Sequence, residues 1–399
     1  MKGDLKEAIQ SILTVTSQGT WVGRCYVPSN LAYNGIAGPH VVQVSKGRVL
    51  DLSSYFGSTG DLINTKEPVT ELTSLKDLPD LGGLEQILLN SVFNAKKKDV
   101  PWLIAPNDVQ AIKACGVTFI ESLLERVIEE KAKGNPSESA KIRQLISDKI
   151  GADLTGIVPG SENAMQLKKE LQEQGMWSQY LEVGIGKDAE VFTKAQPFSA
   201  VGFGAEVGIL KDSNWNNPEP EIVLLVSNDG EIIGATLGND VNLRDFEGRS
   251  ALLLGEAKDQ NGSCAIGPLF RLFDDTFSLK TIKEEKVNLR IQGDDGFHLE
   301  ASSHMSKISR SPEKLVAQTI GENHQYPDGL VLFCGTMFAP IQDRDLPDNG
   351  FTHKLGDEVS ISSEHLGSLI NWVNHCHNLP KWNFGIGAFV AYIVKRNSL

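Results

Sequence analysis

The chain is 399 residues long, 40% hydrophobic and 22% charged, with a formal net charge of −13 at pH 7. This is the composition of a globular protein with a large core, arranged as two domains or as one with a substantial extension. The negative field argues against a nucleic-acid surface, the mixed charges of MKGDLKEAIQ give no expectation of a signal peptide, and IGAFVAYIV is too short to span a bilayer.

The opening stretch from Thr20 to Ser53 alternates apolar and polar residues between turn signals and reads as short strands, with Lys46-Gly47-Arg48 as a hairpin turn. From Pro106 onward, NDVQAIKACGVTFIESLLERVIEEKAKG reads as one strong helix with an Asn or Asp cap, ending at Lys133-Gly134. Two more helices are expected in SESAKIRQLISDKIG, capped near Asn135 to Ser137, and in ENAMQLKKELQEQGMW. Residues 1–180 thus form an α/β region, and residues 181–399 a region of strands and Gly/Pro/Asn/Asp turns. The final forty residues are read as a helix, SSEHLGSLINWVNH, followed by a closing apolar strand. The five cysteines, at 25, 115, 264, 334 and 376, show neither a disulfide framework nor a C-x-x-C knot, so a reducing cytoplasm is the simplest setting. His375 and His377, at i and i+2 of that expected helix, point apart and suggest no metal site.

The chemistry concentrates between Glu219 and Pro268. Strand alternation places Glu219 and Glu221 on one face, ahead of the buried run IVLLV. A hairpin through Asp229-Gly230 returns EIIGATLGND so that Asp240 lies beside the pair. Paired acids at a strand end are commonly just solvated. Three converging carboxylates repel unless a cation lies between them, and an oxygen-only cup suits Mg²⁺ or Mn²⁺ better than zinc. Downstream follow Arg244, Asp245 and Glu247, then Lys258 in a Gly/Ser/Cys-rich loop ending Ile266-Gly267-Pro268.

These ordered pieces resemble the fumarylacetoacetate hydrolase superfamily, with its E-x-E, its N-D-x-x-x-R-D and its lysine loop ending in I-G-P. VFTKAQPFSAVGFGAEVGI, DGLVLFCGT and FTHKLGDEVSIS extend the likeness over about residues 183 to 362. The resemblance implies an α+β protein: an N-terminal α/β region followed by a mixed β-roll catalytic domain, acting in a homodimer or dimer-based oligomer. Glu247 stands where the hydrolases tend to carry Gln. With ACGVTFIESLLERVIEE, it is similar to the branch that dehydrates 2-keto-3-deoxy sugar acids.

On that resemblance, Glu219, Glu221 and Asp240 hold Mg²⁺, with Mn²⁺ as the alternative. The implied reaction takes a 2-dehydro-3-deoxy-D-pentonate to 2,5-dioxopentanoate and water through a metal-stabilised enolate. Lys258 is the candidate for proton transfer or for stabilising the enolate, its pKa lowered by a closed site, or else it only pairs with a ligand carboxylate. Glu247 is the branch's acid or base. Arg244 either clamps the substrate carboxylate or orients the ligands. Thr118, Ser122 and Arg126, at i, i+4 and i+8 on one helical face, reach the hydroxylated substrate, and Thr336 contacts a substrate oxygen. The alternatives are an acylpyruvate or diketo-acid hydrolase using the same metal, and a non-catalytic sugar-acid binding protein. No nucleic-acid or membrane partner is expected.

Overall fold

The structure, a computed structural model, describes residues 3–146, 154, 156–345, 347 and 350–398. A first helix, α1 (Gly3–Val15), leads into strands β1 (Thr20–Val27), β2 (Gly38–Ser45) and β3 (Arg48–Asp51). The β2–β3 turn is Lys46-Gly47, both at positive φ, as a tight hairpin of this hand requires. Next come α2 (Thr59–Ile63), α3 (Pro68–Ser74), β4 (Asp80–Gly83), α4 (Leu84–Ser91), β5 (Trp102–Ile104) and β6 (Ala111–Gly116). Among the described residues four α-helices follow before the chain re-enters a sheet: α5 (Ile120–Lys131), α6 (Pro136–Ile146), α7 (Glu162–Glu173) and α8 (Gln179–Ile185).

The second half supplies β7 (Glu190–Ala195), β8 (Glu206–Ile209), β9 (Asn216–Asn217), β10 (Pro220–Val226), β11 (Ile232–Asp240) and β12 (Asn242–Leu243). Short helices α9 (Arg244–Glu247) and α10 (Leu254–Lys258) precede β13 (Cys264–Leu272). The remainder is α11 (Leu279–Glu284), β14 (Lys286–Gln292), β15 (His298–His304), α12 (Pro312–Thr319), β16 (Leu330–Phe333), β17 (Glu358–Ser363), β18 (Gly367–His375) and α13 (Ile386–Asn397). No helix among the described residues is long and apolar enough to cross a membrane.

The elements assemble into an α+β fold on two large open sheets, with β12 and β9 paired apart from them. The larger has 11 strands in the order β4-β3-β2-β1-β13-β11-β10-β16-β6-β7, with β5 paired to β1 off that path. Strands from both sides of residue 180 therefore share one sheet. The smaller sheet runs β15-β14-β17-β18-β8, and its inward side chains, among them Leu289, Ile361 and Leu369, join those of α1, β10 and β11 in the main core. The neighbours β6 and β7 are antiparallel, yet residues 117–189 lie between them as a helical insertion. That insertion has its own apolar cluster around Leu123, Val127, Leu171 and Leu181, separate from the clusters that the sheets bury.

Four local expectations need correction. Residues 106–134 are not one helix: 111–116 form β6, held between β16 and β7, and the helix starts only at Ile120. Paired neighbours on both sides outweigh the helical propensity of AIKAC. Asp108, expected to cap that helix, instead accepts from Thr59 N (2.7 Å) and Gly60 N (3.3 Å) at the start of α2. The C-terminal order is reversed: GSLINWVNH is a strand between β17 and β8, and IGAFVAYIV is the helix. Finally, His375 and His377 do not point apart, because the backbone is a strand end and a 3₁₀ turn and not a helix; their rings stack at 5.3 Å. The helix expected over SESAKIRQLISDKIG is described over Pro136–Ile146, and the rest of that stretch lies outside the described residues.

Candidate active site

The β10–β11 hairpin builds the base of the site. Glu221 pairs with Gly238, and Asp240 N donates to Glu219 O at 3.0 Å, so the register brings Asp240 opposite Glu219. Gly238 is required here: a Cβ would come within 2.3 Å of the Phe333 ring. Glu219, Glu221 and Asp240 are all buried, and one oxygen from each lies within 4.8 Å of the others. The predicted carboxylate cup is thus present.

Each acid has different company. Glu221 accepts from Gly335 N (2.7 Å) and from the Thr336 hydroxyl (3.3 Å), both in the loop after β16. Gly335 has φ +105, and a Cβ there would meet Thr118 Oγ1 at 2.0 Å, so glycine is needed for the close approach. Glu219 receives Lys258 Nζ at 2.5 Å on one oxygen and Arg126 on the other. Asp240 has Lys258 Nζ 3.0 Å from Oδ2 and Lys194 Nζ 3.0 Å from Oδ1.

The charges follow from this company. Burial works against ionisation of Glu219, but Arg126 and Lys258 outweigh it and hold the carboxyl down at about 2. Glu221 forms no ion pair among the described residues, and burial, with Asp240 and Glu219 beside it, pushes its carboxyl well above the usual range. A buried acid facing two others without a cation is what an oxygen-ligated divalent ion would satisfy, so the residues fit such an ion. Burial also raises Glu247 to about 7, against the opposing pull of Arg126 and Lys258. Lys258 moves opposite to the lowered pKa expected of it: burial disfavours its charge, yet Asp240, Glu219 and Glu247 together push the ammonium up.

The expected substrate-binding group separates. Ser122 and Arg126 line a narrow, tightly filled cavity together with Glu190, Phe192, Glu219, Asp240, Glu247, Lys258 and Thr336. Thr118 precedes the helix, so the shared helical face does not extend to it; its hydroxyl donates to Cys334 O at 2.7 Å and ties the start of the insertion to the Gly335-Thr336 loop. Ser122 donates to Phe119 O at 2.9 Å. Arg244 is absent from the cavity lining: it stacks on Trp215 and donates to Glu129 Oε1 and Glu125 Oε2, both at 2.7 Å. The arginine in the cavity is Arg126, which also donates to Glu129 Oε2 at 2.6 Å and lies 3.1 Å from Glu247 Oε2.

Sequence reasoning missed Glu125, Glu129 and Glu190. Glu129 shares the Ser122–Arg126 stripe of α5 at helical spacing, a signal that was legible. Glu190 carried none, because only the β6–β7 pairing places it opposite Gly116, against the cavity.

The sequence matches the fumarylacetoacetate (FAA) hydrolase C-terminal family over residues 163–374, which is more than half of the chain. The chain belongs to the fumarylacetoacetate hydrolase family. It is 33% identical over 181 residues to a 2-dehydro-3-deoxy-D-arabinonate dehydratase of Saccharolobus solfataricus, covering 45% of this chain and 57% of that one. It is also 33% identical over 202 residues to a probable 2-keto-3-deoxyxylonate dehydratase of Haloferax volcanii, covering 51% of this chain and 66% of the relative. The matched regions thus span 57% of the first relative and 66% of the second, less than two thirds of each. In three dimensions the chain is similar to 2-keto-3-deoxy-D-arabinonate dehydratase in its apo form, with a TM-score of 0.59 at 22% identity over 89% of this chain and 99% of the other. The same coverage and score hold for that dehydratase complexed with magnesium and 2,5-dioxopentanoate. At this identity the structural likeness concerns the fold.

Proposed function

We propose that the chain is a divalent-metal-dependent hydro-lyase that converts a 2-dehydro-3-deoxy-D-pentonate to 2,5-dioxopentanoate and water. The observation that carries this reading is the buried Glu219, Glu221, Asp240 cup with a near-neutral Glu247 facing the same cavity. Both relatives named above as dehydratases support the choice of substrate class. Glu219, Glu221 and Asp240 would hold Mg²⁺, or Mn²⁺, which when bound supplies Lewis-acid polarisation of the 2-keto group.

The chain's own residues do the rest. Lys258 and Arg126 remain cationic beside the cup and stabilise negative charge as the C3 proton leaves. Glu190 is the cavity carboxyl left to accept that proton, since Glu219 is committed to two cations. Glu247, protonated up to about pH 7, gives its proton to the C4 hydroxyl, which departs as water. A proton shift from C5 then turns the terminal alcohol carbon into the aldehyde. Ser122 and Thr336, both in the cavity lining, would contact substrate oxygens.

The test is incubation of the purified chain with Mg²⁺ and a panel of 2-dehydro-3-deoxy-pentonates and acylpyruvates, followed by NMR. Metal-dependent appearance of 2,5-dioxopentanoate is expected. Pyruvate plus a carboxylic acid from a diketo substrate, with no dehydration across the panel, would replace the lyase reading with a C–C hydrolase.

A further inference from the structure

We propose that Lys194 is a positioning residue of the carboxylate cup, holding Asp240 and the backbone of Lys258 from behind without touching substrate. This inference rests on the metal-binding part of the reading above and not on the identity of the keto acid. Lys194 sits on β7 with 0% of its surface exposed and does not line the cavity. Its ammonium donates to Lys258 O, to Val241 O at 3.3 Å and to Ser263 Oγ at 3.3 Å, which uses all three N–H groups. The same nitrogen lies 3.0 Å from Asp240 Oδ1, close enough for charge pairing though off hydrogen-bond alignment.

Asp240 is therefore gripped on both oxygens, by Lys258 from the cavity side and by Lys194 from the far side. Ser263 completes the brace, because its hydroxyl donates to Lys258 O at 2.7 Å. One buried cation thus links β7, the end of β11, α10 and the start of β13. A fully buried lysine is costly unless oxygens surround it, and here every contact is to an atom that sets where Asp240 or Lys258 points.

Two roles predict opposite signs. An ammonium that merely offsets negative charge competes with a metal ion, so its removal tightens cation binding. An ammonium that orients a ligand carboxylate loosens binding when lost, by about ten- to a hundredfold.

The experiment is Mn²⁺ titration of the full chain without substrate, followed by the electron paramagnetic resonance of free Mn²⁺, for wild type, Lys194→Met and Ser263→Ala. Weaker Mn²⁺ binding in Lys194→Met, and a smaller loss in Ser263→Ala with every charge retained, are expected. With an active substrate and saturating Mn²⁺, kcat should fall while KM stays near wild type. Unchanged or tighter Mn²⁺ binding in a folded Lys194→Met chain overturns the proposal. If that variant does not fold, Ser263→Ala decides alone, and wild-type affinity there overturns it. Normal Mn²⁺ binding by wild type with no turnover of any keto acid sinks the dehydratase reading and leaves this one standing.

Discussion

The two walls of the cavity are built on different principles. The strand-borne wall presents Glu219, one residue before β10, and Asp240, at the end of β11, with Glu221 of β10 buried beside them, where ladder hydrogen bonds leave little freedom. The helix-borne wall carries Ser122 and Arg126 on α5, with Glu129 behind them, part of an insertion with a separate apolar core. That wall is fastened by ion pairs: Arg126 to Glu219, and Arg244 to Glu125 and Glu129. A ladder gives precision for metal ligands, whereas charge-paired contacts between two separately packed bodies are easier to remake during substrate entry.

Variants that break one wall or the other sharpen this contrast. The largest effect is expected from Glu221→Gln, which removes a strand-borne ligand while keeping shape: turnover should fall by about a thousandfold or more, as loss of a Lewis-acid site entails. The thermal midpoint should change little or rise, because the acid it replaces is buried without a cation. Activity retained within tenfold in that variant would rule out the cup as the metal site. In wild type, binding of the ion should release a proton from Glu221, seen by calorimetry as a heat that depends on the ionisation enthalpy of the buffer.

Breaking the helix-borne wall comes next. Arg126→Met leaves Glu219 with Lys258 alone and Glu129 with Arg244 alone, and should lower kcat/KM by about a hundredfold and stability by about 3–5 kcal/mol. Urea unfolding and steady-state kinetics on one preparation read both. A loss of activity without loss of stability would mean that α5 does not depend on this pair for docking.

A smaller effect is expected from Glu247, whose carboxyl is raised from 4.5 to about 7. An acid raised in the folded state binds its proton more tightly there than when unfolded, so its contribution to stability is present below about pH 4.5 and is lost as pH rises to about 7. If it acts as the general acid, kcat falls as pH rises through about 7, and Glu247→Gln should be slow and flat across that range. A profile in the variant that keeps the wild-type limb assigns that limb to another group.

The smallest effect serves as a baseline. Lys283 and Glu313 pair on the surface with 42% and 48% of their side chains exposed, and Lys283→Ala should cost at most about 1 kcal/mol and leave activity unchanged.

The contrast between the walls also describes what could be read early. The strand-borne carboxylates were legible because alternation and a two-strand return are local rules, so E-x-E before IVLLV and N-D after the hairpin fall where the pleat dictates. The helix-borne wall was half legible: Ser122 and Arg126 were placed by helical spacing, but the helix was begun too early and Thr118 counted with it. The parallel pairing of β6 with β16 joins segments more than two hundred residues apart, which no local pattern announces. The same holds at the C-terminus, where IGAFVAYIV has the residues of a strand yet forms α13.

The sequence by itself determined the family, the α+β class and the three carboxylates, because these depend on residue types at short spacings along adjacent strands. Tertiary structure decided which cations serve them. Arg126 and Arg244 look equivalent as letters, yet the insertion turns one into the cavity and pins the other between Glu125 and Glu129 behind it. Lys194 and Lys258 likewise meet on one aspartate only after β7, β11 and α10 converge. Charge acts over distance through the folded molecule, and the distance that matters is set by packing, not by position in the chain.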